Sequence, residues 1–535
     1  FKYNVPLELY HNTLKVETET SADLALLDGK ILTMNKTQPL AEAIAIKKNR
    51  IIKVGTTEEV SRLIGKDTKI VYLEYHTVLP GLIDTHIHVA DFGRFLMWLD
   101  LTETTSIVQM LNLLAKRLDS FPSEKWVVGR GWNEKKFIEK RLPTRYDLDI
   151  ISPNNPVLFY HAEGLVCVVN SKALELTEIS INTPAPEGGI IEKDPITGIP
   201  TGVLRESATN LIWQKISEPS IDELVEVTAL ACQKIVASGI TSIHWLAESQ
   251  VDVDILKKLH HLHKLPLRVF MVVPEHLLAD PALCDCLVDG FAKIGGVEIK
   301  ADGYLASKTA ALFHPYANTQ EETVNLSCLA KDIHNSICRA TENGLQYLIH
   351  AMGDKAIDAA LNAINKLPKK GRPRIDQPAL FNEDLIKRVK TSKAILSIQP
   401  LVANSEFAIY SAIETLGEKR ARWLYPLKTL FRKGICVCGG SDCPMEPLNP
   451  FLAMQSAVTR QAFPEEQITV EEAIQMYTTN AAYSTHEEKI KGTIEEGKLA
   501  DLTVISQNPF EVPANMIQKI IVEMTIINGE IIYQL

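Results

Sequence analysis

No block of lysine and arginine long enough to follow a phosphate backbone or an anionic lipid surface occurs in these 535 residues, and the formal charge is −10. Non-specific nucleic-acid binding rests on neutralising phosphates, so the charge balance argues against that class. No apolar run approaches the roughly 18 residues of a membrane span. The segment Phe1-Lys2-Tyr3-Asn4 does not resemble a secretion signal. Cysteine is sparse: the nine are scattered, odd in number and free of CxxC spacing. Cys284 with Cys286, and Cys436 with Cys438, are i,i+2 pairs in apolar surroundings, as buried thiols are. A reducing cytoplasm is the expected compartment. Hydrophobic residues make up 46% of the chain, so disorder is not expected, and the length exceeds one hydrophobic core. One large enzyme-sized domain with a smaller partner domain follows.

The most informative segment is Asp84-Thr85-His86-Ile87-His88, entered through Pro80-Gly81. A strand alternates its faces, so Asp84, His86 and His88 share one side. Burying two imidazoles and a carboxylate together is costly unless something binds them, and a divalent metal is the common solution. A surface strand with unrelated histidines gives the same spacing, so the rest of the chain must decide.

Segments 23–33 and 43–54 read as short strands with hairpin turns at Asp28-Gly29 and Lys48-Asn49. Strand-like Asp501–Ile505 and an Asn528-Gly529 hairpin at the other end suggest one small β-domain built from both chain ends. Between them, apolar runs at 82–88, 156–161, 240–244, 297–301, 345–350, 394–399 and 435–441, with a weaker one near 372–376, alternate with helical patterns such as Ile221–Ser238, Leu329–Asn343 and Val470–Thr479. Eight such units indicate an α/β fold, a (β/α)8 TIM-like barrel. The expected division is a β-sandwich from 1–79 and 486–535, and a barrel over 80–485. A Pro/Gly-punctuated insertion lies at about 178–202, either an arm over the active mouth or a passive excursion.

In Val297–Gly303, Glu298, Lys300 and Asp302 share one face. A lysine beside metal-binding histidines meets like-charge repulsion and desolvation, both favouring the neutral amine, which can take up carbon dioxide and become an anionic carbamate. An ordinary salt-bridged lysine fits the same residue. His350 ends the strand-like Leu348-Ile349-His350, and barrel enzymes place catalytic groups at such ends, although a satisfied core histidine reads identically. Asp442 follows Gly439-Gly440-Ser441, where glycines allow close backbone approach; a carboxylate there can hold metal and take a proton, or Ser441-Asp442 can simply cap a helix.

Together these pieces resemble the amidohydrolase superfamily, and within it the YtcJ-like branch, amidohydrolase family 3. The segments that carry the resemblance are LPGLIDTHIHV at 79–89, GRGWNE at 129–134, NSKALE at 170–175, TGVLRE at 201–206, GITSIH at 239–244, KADGYLASKTAAL at 300–312, HAMGDKAID at 350–358, GGSDCPMEPLNPF at 439–451 and EEGKLADLTVI at 495–505. The resemblance implies a barrel with an appended β-sandwich and divalent metal, zinc above others, as one or two ions on His86, His88, Lys300 as a carbamate, His350 and Asp442. It also implies metal-activated water attacking a carbonyl carbon, with Asp442 accepting the water proton and returning it to the departing amine. The activity implied is hydrolysis of a non-peptide carbon–nitrogen bond.

Three positions depart from that pattern. Gln377 stands where relatives carry a further metal-binding histidine, and its amide oxygen is a poorer ligand than imidazole. Glu163-Gly164-Leu165 replaces Asp-Gly-His, and Trp245 follows His244 where an aspartate is common; Leu165 and Trp245 either line an apolar pocket or pack under a loop. Trp132, Tyr304, His161 and His244 are the candidate substrate-binding residues, the two histidines being also substitute ligands near the mouth. Two other readings stay open: a mononuclear deaminase-like site with Lys300 unmodified, and a catalytically impaired binding or regulatory homologue. The partner implied is a small-molecule substrate, with a homodimer compatible and neither nucleic acid nor membrane.

Overall fold

In the computed structural model, residues 21–162, 164–279, 290–317, 330–366 and 372–535 are described. The Cys284/Cys286 pair, Glu163 and the first four residues lie outside them. The chain divides into two compact units, one running to Phe92 and resuming at Thr228, the other Gly93–Val227.

The first unit contains a parallel eight-stranded sheet. In chain order its strands are Leu82–Ile87, Ile240–Leu246, Arg268–Pro274, Ala292–Lys300, Gln346–His350, Arg374–Asp376, Ile395–Ile398 and Val437–Gly439, each paired with the next. The last meets the first: Thr85 Oγ1 donates to Gly439 O at 3.0 Å, and Asp442 N to His86 O at 2.8 Å. The sheet is therefore a nearly closed barrel. Leu82–Ile87 is buried at every position, as expected of a parallel strand covered on both faces. Gly440 makes the closure sterically feasible, because a Cβ there lies 2.7 Å from His86 N and Cβ.

One strand expectation is corrected. Val157–His161 is a strand, but it pairs with Val127–Trp132 and Val166–Val169 in the second unit, and Arg268–Pro274 supplies the barrel strand instead. Both are short, continuously apolar runs, and such a run says only that a strand is buried, not in which sheet.

Helices return between barrel strands where periodicity placed them. Ile221–Ala237 precedes the second strand and Ala330–Glu342 the fifth, while Val470–Met476 stops short and Thr479–Ser484 follows as a separate helix. Gln250–His261 starts at a Ser249 capping box with Asp252, and Glu383–Ser392 at Asn382, whose side chain accepts from Leu385 N. Such caps satisfy N–H groups that a helix start leaves unpaired.

Both chain ends build the β-sandwich. Leu24–Leu27, Ala43–Lys47, Arg50–Gly55 and Lys69–Tyr72 form one sheet; Lys30–Leu32, Leu40–Ala41, Thr77–Pro80, Leu502–Ile505, Val522–Ile527 and Glu530–Gln534 form the other. Leu26, Ile44 and Val71 from the first pack with Ile31, Leu502, Val504 and Ile526 from the second. The hairpins at Lys48-Asn49 and Asn528-Gly529 form as expected. The Asp28-Gly29 hairpin does not: the chain crosses there from one sheet to the other, so that alternate residues on both sides enter the shared core.

The second unit is built on a six-stranded sheet, and the segment of the expected insertion at about 178–202 enters it through the antiparallel pair Gly189–Lys193 and Pro200–Glu206. Trp132 lies in this unit's core, fully buried, with its indole N–H donating to Phe159 O at 3.0 Å. His161 Nε2 stands 3.0 Å from Glu134 Oε2, with its ring edge-on to Trp132. Both candidates thus have neighbours within this unit. Leu165 is 52% exposed, so it does not pack under a loop.

Candidate metal centre

The first strand ends at Ile87 and sends His86 and His88 past the carboxyl rim, while Asp442 lies just beyond the eighth. Among the described residues, His86, His88 and Asp442 each offer a ligand atom within 4.8 Å of the others. His86 Nε2 lies 3.4 Å and His88 Nε2 3.5 Å from the same oxygen, Oδ1 of Asp442. Each imidazole rests its other nitrogen on a separate carboxylate: His86 Nδ1 is 3.2 Å from Asp376 Oδ2, and His88 Nδ1 is 3.2 Å from Glu248 Oε1. For His86 the carboxylate hydrogen-bonds Nδ1 and so favours the tautomer that leaves Nε2 free to bind metal, the usual arrangement of metal-ligating histidines.

The electrostatics call for a cation. Burial opposes charge on His86, yet hydrogen bonds and attraction to Asp376 and Asp442 outweigh it and lift its pKa to about 9. Burial likewise opposes charge on His88, but Asp442 and Glu248 raise it to about 10. Asp442 is driven well below the carboxylate range, its own burial notwithstanding, by the two imidazoles. Protons thus gather where a divalent ion would compensate the same carboxylates. The His₂–carboxylate donor set, with His86 and Asp442 buried and His88 half-buried, fits a divalent metal.

Sequence reading missed Asp376, Glu248 and Arg374. Fully buried Arg374 grips Asp376 through two hydrogen bonds, Nε to Oδ1 at 2.6 Å and Nη2 to Oδ2 at 2.7 Å, and donates from Nη1 to His244 Nδ1 at 2.7 Å. The signal was available: Arg374 and Asp376 alternate on one strand as Asp84 and His86 do.

The other expected residues are placed as follows. Asp84 stays out of the cluster, its Oδ1 accepting from His86 N and Ser441 N, and burial pushes its pKa up to about 6. His350 is buried with Nε2 3.4 Å from Gly303 O and 3.9 Å from Asp302 Oδ1. Asp302 itself accepts from the backbone N–H groups of Ala311, Met352 and Gly353. His244 is fully enclosed against Arg374, and Trp245 is fully buried, so it packs inside rather than under a surface loop. Tyr304 is 45% exposed, with its ring 5.1 Å from that of His350. Gln377 donates from Nε2 to Asp442 Oδ2 at 3.1 Å.

Lys300 takes the salt-bridged placement, one of its two expected readings. Its side chain is 48% exposed, and its Nζ lies 3.5 Å from Glu298 Oε2 and 3.8 Å from Glu248 Oε2. Burial works against the charge, but the two carboxylates raise its pKa above the ordinary lysine value.

A nearly closed parallel barrel with His86 and His88 at the end of its first strand and Asp442 just beyond its eighth fits the class of metal-dependent hydrolases. The solved structure of a metal-dependent hydrolase from Pyrococcus furiosus matches with a TM-score of 0.75 at 27% identity, over 91% of this chain and all of that one. The amidohydrolase family model matches residues 70–533, and the chain belongs to that family. It is 32% identical to YtcJ of Bacillus subtilis (strain 168), over 95% of this chain and 98% of that protein. It is also 26% identical to the N-substituted formamide deformylase of Arthrobacter pascens, over 96% and 98%. The chain is accordingly a hydrolase of carbon–nitrogen bonds other than peptide bonds. No helix among the described residues is long and apolar enough to cross a membrane.

Proposed function

We propose that the chain hydrolyses the amide-type bond of a small N-acyl or N-formyl amine, with one zinc ion held by His86, His88 and Asp442. One observation above others supports this: both imidazole Nε2 atoms converge on Asp442 Oδ1 while each Nδ1 faces its own carboxylate. A bound divalent ion supplies Lewis acidity and brings the pKa of a coordinated water from about 15.7 to near 7. Asp442 takes a proton from the attacking water and hands it to the departing nitrogen. Its buried position beside two imidazoles keeps it ionised for the first transfer. Arg374 and Asp376 lock the orientation of His86, and Glu248 that of His88. Tyr304 offers a phenol at the rim to the substrate.

The reading takes one ion because a second in the family arrangement calls for Lys300 as a carbamate and for a histidine where Gln377 stands. N-substituted formamides are the first substrates to try, as the Arthrobacter pascens relative is named for them. The test combines elemental analysis of chelator-stripped and zinc-reloaded protein with ammonia and amine release from a panel of formamides and N-acyl amines. Near one zinc per chain with zinc-dependent amine release is expected. Metal-independent turnover, or none across the panel in fully loaded protein, overturns the reading.

A further inference from the structure

Gln377 has a use that a missing ligand does not explain. Its Nε2 donates to Asp442 Oδ2, while the other oxygen of that carboxylate faces the two imidazoles. A carboxylate accepts hydrogen bonds and donates none, so the amide nitrogen must face it and the amide orientation is fixed by chemistry. The amide oxygen is then left over. Gln377 is 2% exposed, and its Oε1 is buried with no hydrogen-bond partner among the described residues. The backbone at Gln377 and at Asp442 is left-handed, with φ of 54° and 60°, a conformation non-glycine residues hold at a cost and often at functional sites. A buried, unpaired amide oxygen costs about 1–3 kcal/mol, a deficit that a ligand N–H removes.

We propose that Gln377 determines specificity by accepting, through Oε1, the N–H of the substrate's scissile nitrogen, beside the carboxylate that protonates that same nitrogen. The inference rests on the amidohydrolase reading above and narrows it to amides whose leaving nitrogen carries a hydrogen, against esters and N,N-disubstituted amides. When the carbon–nitrogen bond breaks, its electron pair stays on nitrogen and the proton held by Asp442 completes the amine. Anchoring the N–H on Oε1 restricts rotation about the breaking bond, which turns the nitrogen lone pair toward Asp442.

The experiment compares N-benzylformamide, N-benzyl-N-methylformamide and benzyl formate as substrates of the zinc-loaded full chain and of Gln377→Met, with zinc content measured on both. Methionine keeps the side-chain length, so a preference due to bulk survives the substitution and one due to the hydrogen bond does not. The wild type is expected to favour N-benzylformamide over its N-methyl analogue by about 10–100-fold in kcat/KM, the size of one buried hydrogen bond. Gln377→Met is expected to bring that ratio near one with zinc content unchanged. Equal rates on the two formamides in the wild type overturn the proposal, and so does loss of zinc in the variant, which makes Gln377 a ligand. Calorimetric binding of the same two formamides to zinc-free wild type, where no turnover intervenes, keeps the test independent of the variant's folding. A preference for the N–H compound is expected there, and equal affinity overturns the inference. Absence of all turnover by loaded enzyme with the binding preference intact sinks the amidohydrolase reading and overturns the scissile-nitrogen assignment with it, leaving Gln377 only as an N–H acceptor in binding.

Discussion

Arg374 and Asp376, two residues apart on the sixth barrel strand, form a two-pronged ion pair in which both side chains are essentially inaccessible to water. Arg374 also donates to Thr85 O and His244 Nδ1, which lie on the first and second strands. Breaking a buried pair strands the surviving charge, at about 3–5 kcal/mol. Arg374→Met is therefore expected to lose stability of that order in urea unfolding of the zinc-free protein. A loss below about 1 kcal/mol means the pair does not hold the barrel interior. Asp376→Asn is expected to weaken zinc about 10–100-fold in a chelator competition, the usual effect of removing the partner behind a ligating histidine.

Asp442→Asn keeps the shape of the side chain and removes its ability to carry a proton. Turnover is expected to fall about 10²–10⁴-fold, the span general acid–base groups contribute. Steady-state rates on a responsive formamide check this, and a variant retaining a tenth or more of the activity removes Asp442 from proton transfer.

Lys300→Arg preserves the positive charge between Glu298 and Glu248 but cannot form a carbamate. Zinc content per chain is expected to match the wild type in elemental analysis. A clear loss of metal instead assigns Lys300 to the ligand set in carboxylated form.

Glu406, 3% exposed, has its pKa pushed by burial from 4.5 up to about 7. The folded state then holds a proton that the unfolded chain releases, so the stability it contributes is complete below about pH 4.5 and lost as pH rises toward 7. A tenfold change in proton affinity is worth about 1.4 kcal/mol, which makes the full effect on the order of 3–4 kcal/mol. Glu406→Gln is expected to gain stability over the wild type at pH 8 and not at pH 4, read from paired denaturation curves. A difference that does not change with pH refutes the burial effect.

Gly440→Ala puts a methyl group 2.7 Å from the His86 backbone, where the eighth strand meets the first. Forced packing of this kind costs about 1–3 kcal/mol and here pries Asp442 from His86. Lower thermal stability and weaker zinc binding are expected together. Normal zinc affinity in a destabilised variant shows that the closure and the metal centre are independent.

Much of the fold could be read locally. Inward polar alternation at Asp84, His86 and His88 is a property of one strand, and the Asn528-Gly529 turn specifies its hairpin from two residues. The Asp28-Gly29 turn carried the same local signal and yet connects two sheets, because which strand becomes a neighbour is decided by burial of the sandwich core. The exchange of Val157–His161 for Arg268–Pro274 has the same origin: both sequences satisfy the requirements of a buried strand.

The sequence by itself determined the barrel-plus-sandwich class and put His86, His88 and Asp442 at strand ends, since strand alternation and strand-end position are set by near neighbours in the chain. Tertiary structure alone decided that Asp376 backs His86, that Glu248 backs His88 and shares Lys300 with Glu298, and that Gln377 spends its N–H on Asp442. Gln377 and Asp442 are 65 positions apart in the chain, and Asp376 and His86 are 290 apart. Such pairings exist only once strand register and barrel closure have fixed which rim positions are adjacent.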